Sequence, residues 1–163
     1  MAEELDGRRV CIFIAPKGTE QSEFTEPKKA AEEAGAEVDV LGIETGEVQA
    51  VHGDLNPGDN FEVDRTFQGC SPEDYDAVII PGGVVGADKL RADEDCISLV
   101  KSMFEEGKPA AVICHGPWCL VEADVARDRE LTSYHSIKTD MKNAGANWVD
   151  REVCVDEGLV TSR

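Results

Sequence analysis

AAVICHGPWCL, from Ala110 to Leu120, carries the strongest fold signal in the sequence. Its first four residues are apolar, which is typical of a short buried strand, and the letters CHGP (114–117) follow directly. A glycine and a proline behind an apolar run favour a sharp turn, with a helix predicted to begin near His115. Cys114 is therefore either a core thiol packed beside a turn or a nucleophile presented at the end of a sheet.

The segments on either side alternate between strand-like and helix-like patterns. The predicted strands are 8–15 (RRVCIFIA), 36–43 (AEVDVLGI) and 75–83 (YDAVIIPGG), and the predicted helices are 19–35 and 96–104. Turn residues between 44 and 71 predict a hairpin-like excursion. Repeated β-α units indicate a mostly parallel sheet covered on both faces. The predicted fold is thus an α/β, flavodoxin-like three-layer α/β/α sandwich with a nucleophile elbow at Cys114.

Length and charge narrow the class of protein. A chain of 163 residues suits a single domain, predicted to span 1–163. Thirty-four acidic residues against sixteen basic ones give a net charge of −18, which disfavours nucleic acid and anionic membranes as partners. Acids spread along the whole chain favour a protein of a high-salt, haloarchaeal cytoplasm over an ordinary acidic protein. No apolar run approaches the ~20 residues of a membrane helix, and the acidic N-terminus does not resemble a signal peptide, so the predicted location is cytoplasmic.

The six cysteines give no metal or disulfide signature. None forms a C-x-x-C pair or a cluster with zinc-ligand spacing, so no metal, cofactor or disulfide framework is predicted. Cys11, Cys96 and Cys154 lie in apolar segments and are predicted to be small buried hydrophobes, whereas Cys70 falls in a loop. Only Cys114 lies in a pattern that indicates chemistry.

The predicted topology surrounds Cys114 with candidate partners, because sites in open parallel sheets form at the carboxyl ends of strands. A helix N-terminus beside the thiol would lower its pKa and favour the reactive thiolate. The neighbouring strand ends in PGG, so the amides of Gly82 and Gly83 are candidate oxyanion donors. Glu20 and Glu23, three residues apart after the first strand, are either catalytic carboxylates or acids that complement a helix dipole.

Five motifs occur along the chain in an order that resembles a known family. They are GTEQSE, PGG, ICHGPW, TSYHSIKTDMKNAGANWVD and the closing VTSR. Together they resemble the PfpI family of the DJ/PfpI superfamily, which contains intracellular cysteine peptidases and deglycases related to class I glutamine amidotransferases. The resemblance extends from Val10 to Arg163.

The resemblance implies roles for three residues of a catalytic triad. Cys114 matches the family's nucleophile, and His115 matches its histidine, whose ring is not expected to reach the adjacent sulfur easily. Asp88 is placed where the family has an acid, more usually glutamate, that a neighbouring subunit supplies to that histidine. A homo-oligomer, either a dimer or a hexamer, is therefore expected.

The same resemblance implies roles for the rest of the site. Glu23 matches the acid that hydrogen-bonds the cysteine sulfur, and Glu20 matches the second acid of that motif. Tyr134 matches a tyrosine close to the pocket, while His135 is interpreted as a rim residue.

The function expected from these matches is cysteine-dependent chemistry on a small carbonyl or a peptide. Glyoxalase or deglycase chemistry is preferred, because a shallow pocket on a small domain suits small aldehydes. Two alternatives stay open: an intracellular cysteine peptidase, and a redox-sensing stress protein or holdase chaperone without turnover.

Overall fold

A seven-stranded sheet forms the centre of the computed structural model, which describes residues 3–163. Its spatial order is β11-β12-β8-β7-β1-β3-β6, and every neighbouring pair is parallel except β11 with β12. The strands are β1 (Arg9–Phe13), β3 (Glu37–Gly42), β6 (Arg65–Thr66), β7 (Ala77–Ile80), β8 (Ala110–Ile113), β11 (Val153–Asp156) and β12 (Leu159–Ser162).

Within residues 3–163, five α-helices cover the two faces of this sheet. They are α1 (Gln21–Glu33), α2 (Val84–Arg91), α3 (Glu94–Glu105), α4 (Trp118–Glu122) and α5 (Lys138–Asn143), with short 3₁₀ helices at Phe67–Gly69, Pro72–Asp74 and His135–Ile137. Successive residues of a strand point to opposite faces. Val10 and Ile12 of β1 accordingly pack with α1, whereas Cys11 and Phe13 belong to a larger core that includes residues of α2 to α5.

The excursion predicted between 44 and 71 folds as a separate small sheet. Strand β4 (Gly46–His52) pairs antiparallel with β5 (Asn56–Val63), and we call residues 46–63 the hairpin. Strand β2 (Lys17–Glu20) pairs parallel with β4, which carries the hairpin back to the end of β1. A further pair, β9 (Glu130–Leu131) with β10 (Asn147–Trp148), is also parallel.

The predicted fold class is confirmed, since the sheet is mostly parallel and flanked by helices. The apolar spacing between 96 and 104 does form a helix, α3, whose N-terminus is capped by the Asp93 carboxylate accepting the Cys96 amide at 2.8 Å. Helix α2 had no sequence prediction. Its eight residues include Gly86 and two β-branched valines, which are weak helix formers, so tertiary packing decides it.

Close packing against β2 explains why α2 contains a glycine. A Cβ on Gly86 would lie 2.7 Å from the Gly18 carbonyl oxygen, so only glycine fits there. Within residues 3–163, no helix combines the length and apolarity needed to cross a membrane. The single-domain span 1–163 stays a prediction.

Candidate active site

Cys114 sits on a strained backbone turn directly after β8. The strand ends at Ile113, and Cys114 has a φ of +60°, a left-handed conformation that costs energy for any residue except glycine. We call residues 114–117 the nucleophile turn. The Gly116 amide donates to the Ile113 carbonyl at 2.7 Å and closes the turn. A Cβ on Gly116 would lie 2.7 Å from the Ile80 carbonyl oxygen of β7, so the turn requires glycine at this position.

Glu23 reaches the cysteine from the first turn of α1. Its Oε1 accepts the Gly82 amide at 2.9 Å, and its carboxyl lines the same cavity as the Cys114 thiol, whose pKa its charge raises after burial. Gly82 packs between these two residues, since a Cβ on Gly82 would lie 2.6 Å from Glu23 Oε1 and 2.8 Å from Cys114 Cβ. The Gly82 amide is therefore engaged by Glu23, which argues against its predicted role as an oxyanion donor.

Burial sets the protonation of this pair. Burial, and next the charge of Glu23, raise the pKa of the Cys114 thiol to about 12, although the backbone amides of Gly83 and His115 act to lower it. Burial likewise raises the pKa of the Glu23 carboxyl to about 7. The predicted lowering of the thiol pKa by a helix N-terminus is wrong in direction. Helix α4 begins only at Trp118 rather than near His115, and burial outweighs what dipole effect remains.

His115 does reach the sulfur of the residue before it, contrary to expectation. The left-handed turn brings its Nδ1 to 3.2 Å from Cys114 Sγ. The ring is buried, stacks on Tyr134 with centroids 4.8 Å apart, and lies 3.4 Å through Nε2 from the Ser136 hydroxyl. Burial lowers the pKa of His115, which favours the neutral imidazole that can accept a proton.

Glu20 acts on the backbone of the hairpin. Its two carboxylate oxygens accept the amides of Gly53 and Asp54 at 2.5 and 3.1 Å. Asp54 in turn accepts the Val84 amide at 2.8 Å through Oδ1, next to Gly83. Glu20 thus fixes the loop of the hairpin, 53–55, beside the nucleophile turn.

These elements enclose a cavity of about 350 Å³, large enough for a small substrate. Seven of its lining residues are polar or charged side chains or the nucleophile itself, and two are glycines: Glu20, Ser22, Glu23, Gly53, Asp54, Gly83, Cys114, His115 and Tyr134. The structure therefore brings together most of the predicted site residues. Tyr134 lies on the cavity wall, and exposed His135 stacks on its outer side with ring centroids 4.4 Å apart.

Asp88 lies outside this cavity within one chain. It is exposed on α2, and its Oδ1 accepts hydrogen bonds from the Arg91 guanidinium at 3.0 Å. Arg91 in turn stacks over the Trp118 ring at 4.2 Å from its centroid. The single chain thus gives His115 the Ser136 hydroxyl as the neighbour of its outer nitrogen, and the role of Asp88 across a subunit boundary stays a prediction.

Asp54, Ser22, Gly53 and Ser136 are members of the site that the sequence did not indicate. The turn residues between 44 and 71 predicted an excursion, and nothing local shows that its tip meets Glu20 of β2 and Val84 of α2. Within residues 3–163, no three His, Cys, Asp or Glu side chains are grouped to hold a metal ion.

Comparison with known proteins identifies the relatives of this chain. The DJ-1/PfpI family model matches residues 8–163. Deglycase PfpI of Pyrococcus furiosus is 39% identical over 152 residues, covering 93% of this chain and 88% of that protein. YraA of Bacillus subtilis, whose name assigns it provisionally to the cysteine proteases, is 41% identical over 157 residues, covering 96% of this chain and 89% of that protein.

A solved structure shares the fold. It is a two-domain protein of Anabaena variabilis with DJ-1/ThiJ/PfpI-like and ferritin-like domains, with a TM-score of 0.87 and 34% identity. The match covers 96% of this chain and 43% of that longer one.

Proposed function

The chain belongs to the DJ-1/PfpI family, and from that premise we propose that it is a cysteine-dependent enzyme acting on reactive carbonyl compounds through Cys114. One observation carries the proposal: a thiol on a strained turn that opens into the cavity lined by Glu23 and His115, with His115 Nδ1 at 3.2 Å from the sulfur. The deglycase name of the Pyrococcus relative supports the same chemistry.

The first step is addition of the sulfur to an aldehyde carbon. Above a pH of about 7, Glu23 is ionised and takes the thiol proton as the sulfur attacks. The carbonyl oxygen gains negative charge, which the amides of Gly83 and His115 stabilise from their positions beside the sulfur. Glu23 then returns the proton to that oxygen, and the product is a hemithioacetal.

With methylglyoxal, the hemithioacetal is converted to lactate without an external oxidant. A base, Glu23 or the neutral His115, removes the proton from the sulfur-bearing carbon, and the neighbouring ketone carbon receives a proton in its place. The carbon bound to sulfur is thereby oxidised and its neighbour reduced, which gives a thioester. Water cleaves the thioester and releases lactate and the Cys114 thiol.

A glycated amine enters the same sequence. The sulfur displaces the amine from the adduct's carbinol carbon, and the amine leaves with the thiol proton, which yields the same hemithioacetal. This step would repair the amine and is the deglycase form of the reaction.

Lactate formation from methylglyoxal tests the proposal. Wild-type protein should form lactate, and Cys114→Ala should lose the activity, because no other group supplies the nucleophile. Cys70→Ala is the matched control, since Cys70 is also partly exposed but lies in a loop after β6, and it should keep wild-type activity. Equal lactate formation by wild type and Cys114→Ala would refute the proposal.

A cysteine peptidase is the second candidate, favoured by the name of the Bacillus relative. The same thiol would attack a peptide carbonyl, and the amine would leave as an acyl-enzyme forms. A fluorogenic peptide cleaved by wild type but not by Cys114→Ala would support it. Failure of both assays, with oxidation of Cys114 to a sulfinate by dilute peroxide, would instead favour the redox-sensing alternative.

Asp88 belongs to this proposal as an acid supplied by a neighbouring subunit. In one chain it pairs with half-buried Arg91 and does not reach His115, so a catalytic role for Asp88 requires at least a dimer. Sedimentation in molar salt, with lactate assays of Asp88→Asn, tests this arrangement. A monomer with full activity, or an unaffected Asp88→Asn, would exclude it.

A further inference from the structure

The charged side chains that line the cavity are almost all of one sign. Three of its nine lining residues are carboxylates, Glu20, Glu23 and Asp54, and none of the nine is a lysine or arginine. The lining residue that can become positively charged is His115, and burial lowers the pKa of its imidazole. A substrate that approaches the sulfur therefore passes through the negative electrostatic potential of these carboxylates.

The three carboxylates differ in how far their charge is compensated. Both oxygens of Glu20 accept backbone amides, and Glu23 accepts the Gly82 amide and has a pKa that burial raises to about 7. Asp54 has a single backbone amide, that of Val84, on Oδ1. Asp54 therefore accepts fewer backbone amides than Glu20, and it lies on the cavity wall, where its charge acts on what the cavity binds.

Asp54 is also held in place. Its φ of +66° is a left-handed conformation, its amide donates to Glu20 Oε2 at 3.1 Å, and its Oδ1 accepts from Val84 at 2.8 Å. Burial chiefly raises the pKa of Glu23, and the charge of Asp54 adds to that rise; burial lowers the pKa of His115, and the charge of Asp54 opposes that lowering. A charge held on the wall of the same cavity is well placed to act on a substrate bound there.

The residues next to Asp54 are apolar and exposed. Leu55, which follows it in the chain, is 89% exposed, and Val84, whose amide it accepts, is also exposed, so these two side chains form an apolar rim beside the carboxylate. An apolar rim above a negative wall suits a neutral carbonyl compound, or one attached to a cation, far better than a carboxylate.

We infer that Asp54 is a specificity-determining residue that makes the Cys114 pocket select uncharged or cationic carbonyl compounds and exclude anionic ones such as 2-oxo carboxylates. The inference rests on the proposed function for its substrate class. The charge selection itself concerns only the approach of a reagent to the sulfur.

A pair of alkylating reagents measures that selection without any turnover. Neutral iodoacetamide and anionic iodoacetate both react with a thiolate by displacement of iodide, and they differ in one charge. Peptide mass spectrometry would follow the modification of Cys114 separately from that of the other cysteines. Wild type should react with iodoacetamide faster than with iodoacetate, and molar salt should reduce the preference by screening.

Asp54→Asn is the test variant, because its amide oxygen can still accept the Val84 hydrogen bond. It should raise the rate with iodoacetate relative to iodoacetamide by about fivefold, as expected for removal of one nearby charge. Glu62→Gln is the matched control: an exposed acid of the same hairpin, outside the cavity, whose loss should change the ratio by less than about twofold. Equal ratios in the two variants would overturn the inference.

A second measurement separates this inference from the proposed function. If the protein forms lactate from methylglyoxal but Asp54→Asn leaves the alkylation ratio unchanged, only the role of Asp54 is refuted. A changed ratio without any lactate formation supports Asp54 and refutes the proposed reaction. If Cys114 reacts with neither reagent, NMR titration of His115 tests whether the charge of Asp54 acts inside the cavity. Asp54→Asn should lower the pKa of His115, and an unchanged pKa would overturn the inference.

Discussion

The nucleophile turn and the hairpin contribute to the same cavity but are held in place in different ways. The turn is fixed by the backbone of two central strands, with Gly116 packed against carbonyl oxygens of β7 and β8. The hairpin is fixed at its tip by side chains, through Glu20 with Gly53 and through Asp54 with Val84.

This difference separates chemistry from selection in the cavity. The sulfur needs a position fixed to a fraction of an ångström, which buried strands provide. The surrounding charge needs only an approximate location, which exposed hydrogen bonds provide. We expect substitutions in the turn to affect folding and reaction, and substitutions in the hairpin to affect selectivity and affinity.

The largest expected effect is that of Gly116→Ala. The added Cβ would lie 2.7 and 2.9 Å from two backbone carbonyl oxygens, of Ile80 and Ile113, so strand backbone has to move. We expect a loss of about 3 kcal/mol in the free energy of unfolding. Urea denaturation followed by circular dichroism would measure it.

Gly53→Ala is the matched substitution in the hairpin. A Cβ there meets nothing within 4 Å, and only the φ of +60° opposes it, so the expected loss is about 1 kcal/mol. Similar losses for the two variants would contradict the proposed difference between the regions.

Glu23→Gln should change both the rate and its pH dependence. The wild-type rate of lactate formation should rise as the pH passes about 7, because Glu23 must be ionised to take the thiol proton. The variant should be about 10²-fold slower and lack this step. A pH–rate profile between 5 and 9 measures both, and an unchanged step in the variant would assign it to another group.

The same variant should be more stable at high pH. The folded-state pKa of Glu23 is raised from 4.5 to about 7, so folding favours its protonated form. That contribution is fully present below pH 4.5 and is lost as the pH rises to about 7. Glu23→Gln should therefore have a Tm higher by about 3 °C at pH 8 and little changed at pH 4. Differential scanning calorimetry at both pH values tests the sign, which the opposite order would refute.

The smallest expected effect concerns the contact between the hairpin and α1. Gln21 and Asp59 exchange two hydrogen bonds of 2.7 and 2.8 Å at an exposed position. Gln21→Ala should lower the free energy of unfolding by about 0.5 kcal/mol and speed hydrogen exchange in β4 and β5. Any effect on lactate formation should be a rise of about twofold in KM with kcat unchanged.

Gln49→Ala provides the control for this contact. Gln49 donates to the Gly58 carbonyl at 3.1 Å within the hairpin, so its loss does not detach the hairpin from α1. Hydrogen exchange in β4 and β5 that is equally fast in both variants would show that the Gln21 contact does not anchor the hairpin.

The sequence predicted those parts of the molecule that depend on short-range patterns. Apolar runs predicted β1, β3, β7 and β8, and the letters CHGP predicted the turn at Cys114, because burial and turn geometry are written in neighbouring residues. Helix α2 and the tip of the hairpin gave no such signal. Helix α2 depends on its packing against β2, and the hairpin tip depends on contacts with Glu20 of β2 and Val84 of α2, which lie far away along the chain.

Local patterns in the amino-acid sequence are sufficient to predict four central strands, the turn and the candidate nucleophile, together with an acidity that still predicts a high-salt environment. The tertiary structure alone decided the reach of His115 to the sulfur, the engagement of the Gly82 amide by Glu23 and the presence of Asp54 in the cavity. It also reversed the expected direction of the thiol pKa. The physical reason is that protonation and charge selection depend on burial and on distances between remote segments, which no local pattern of residues records.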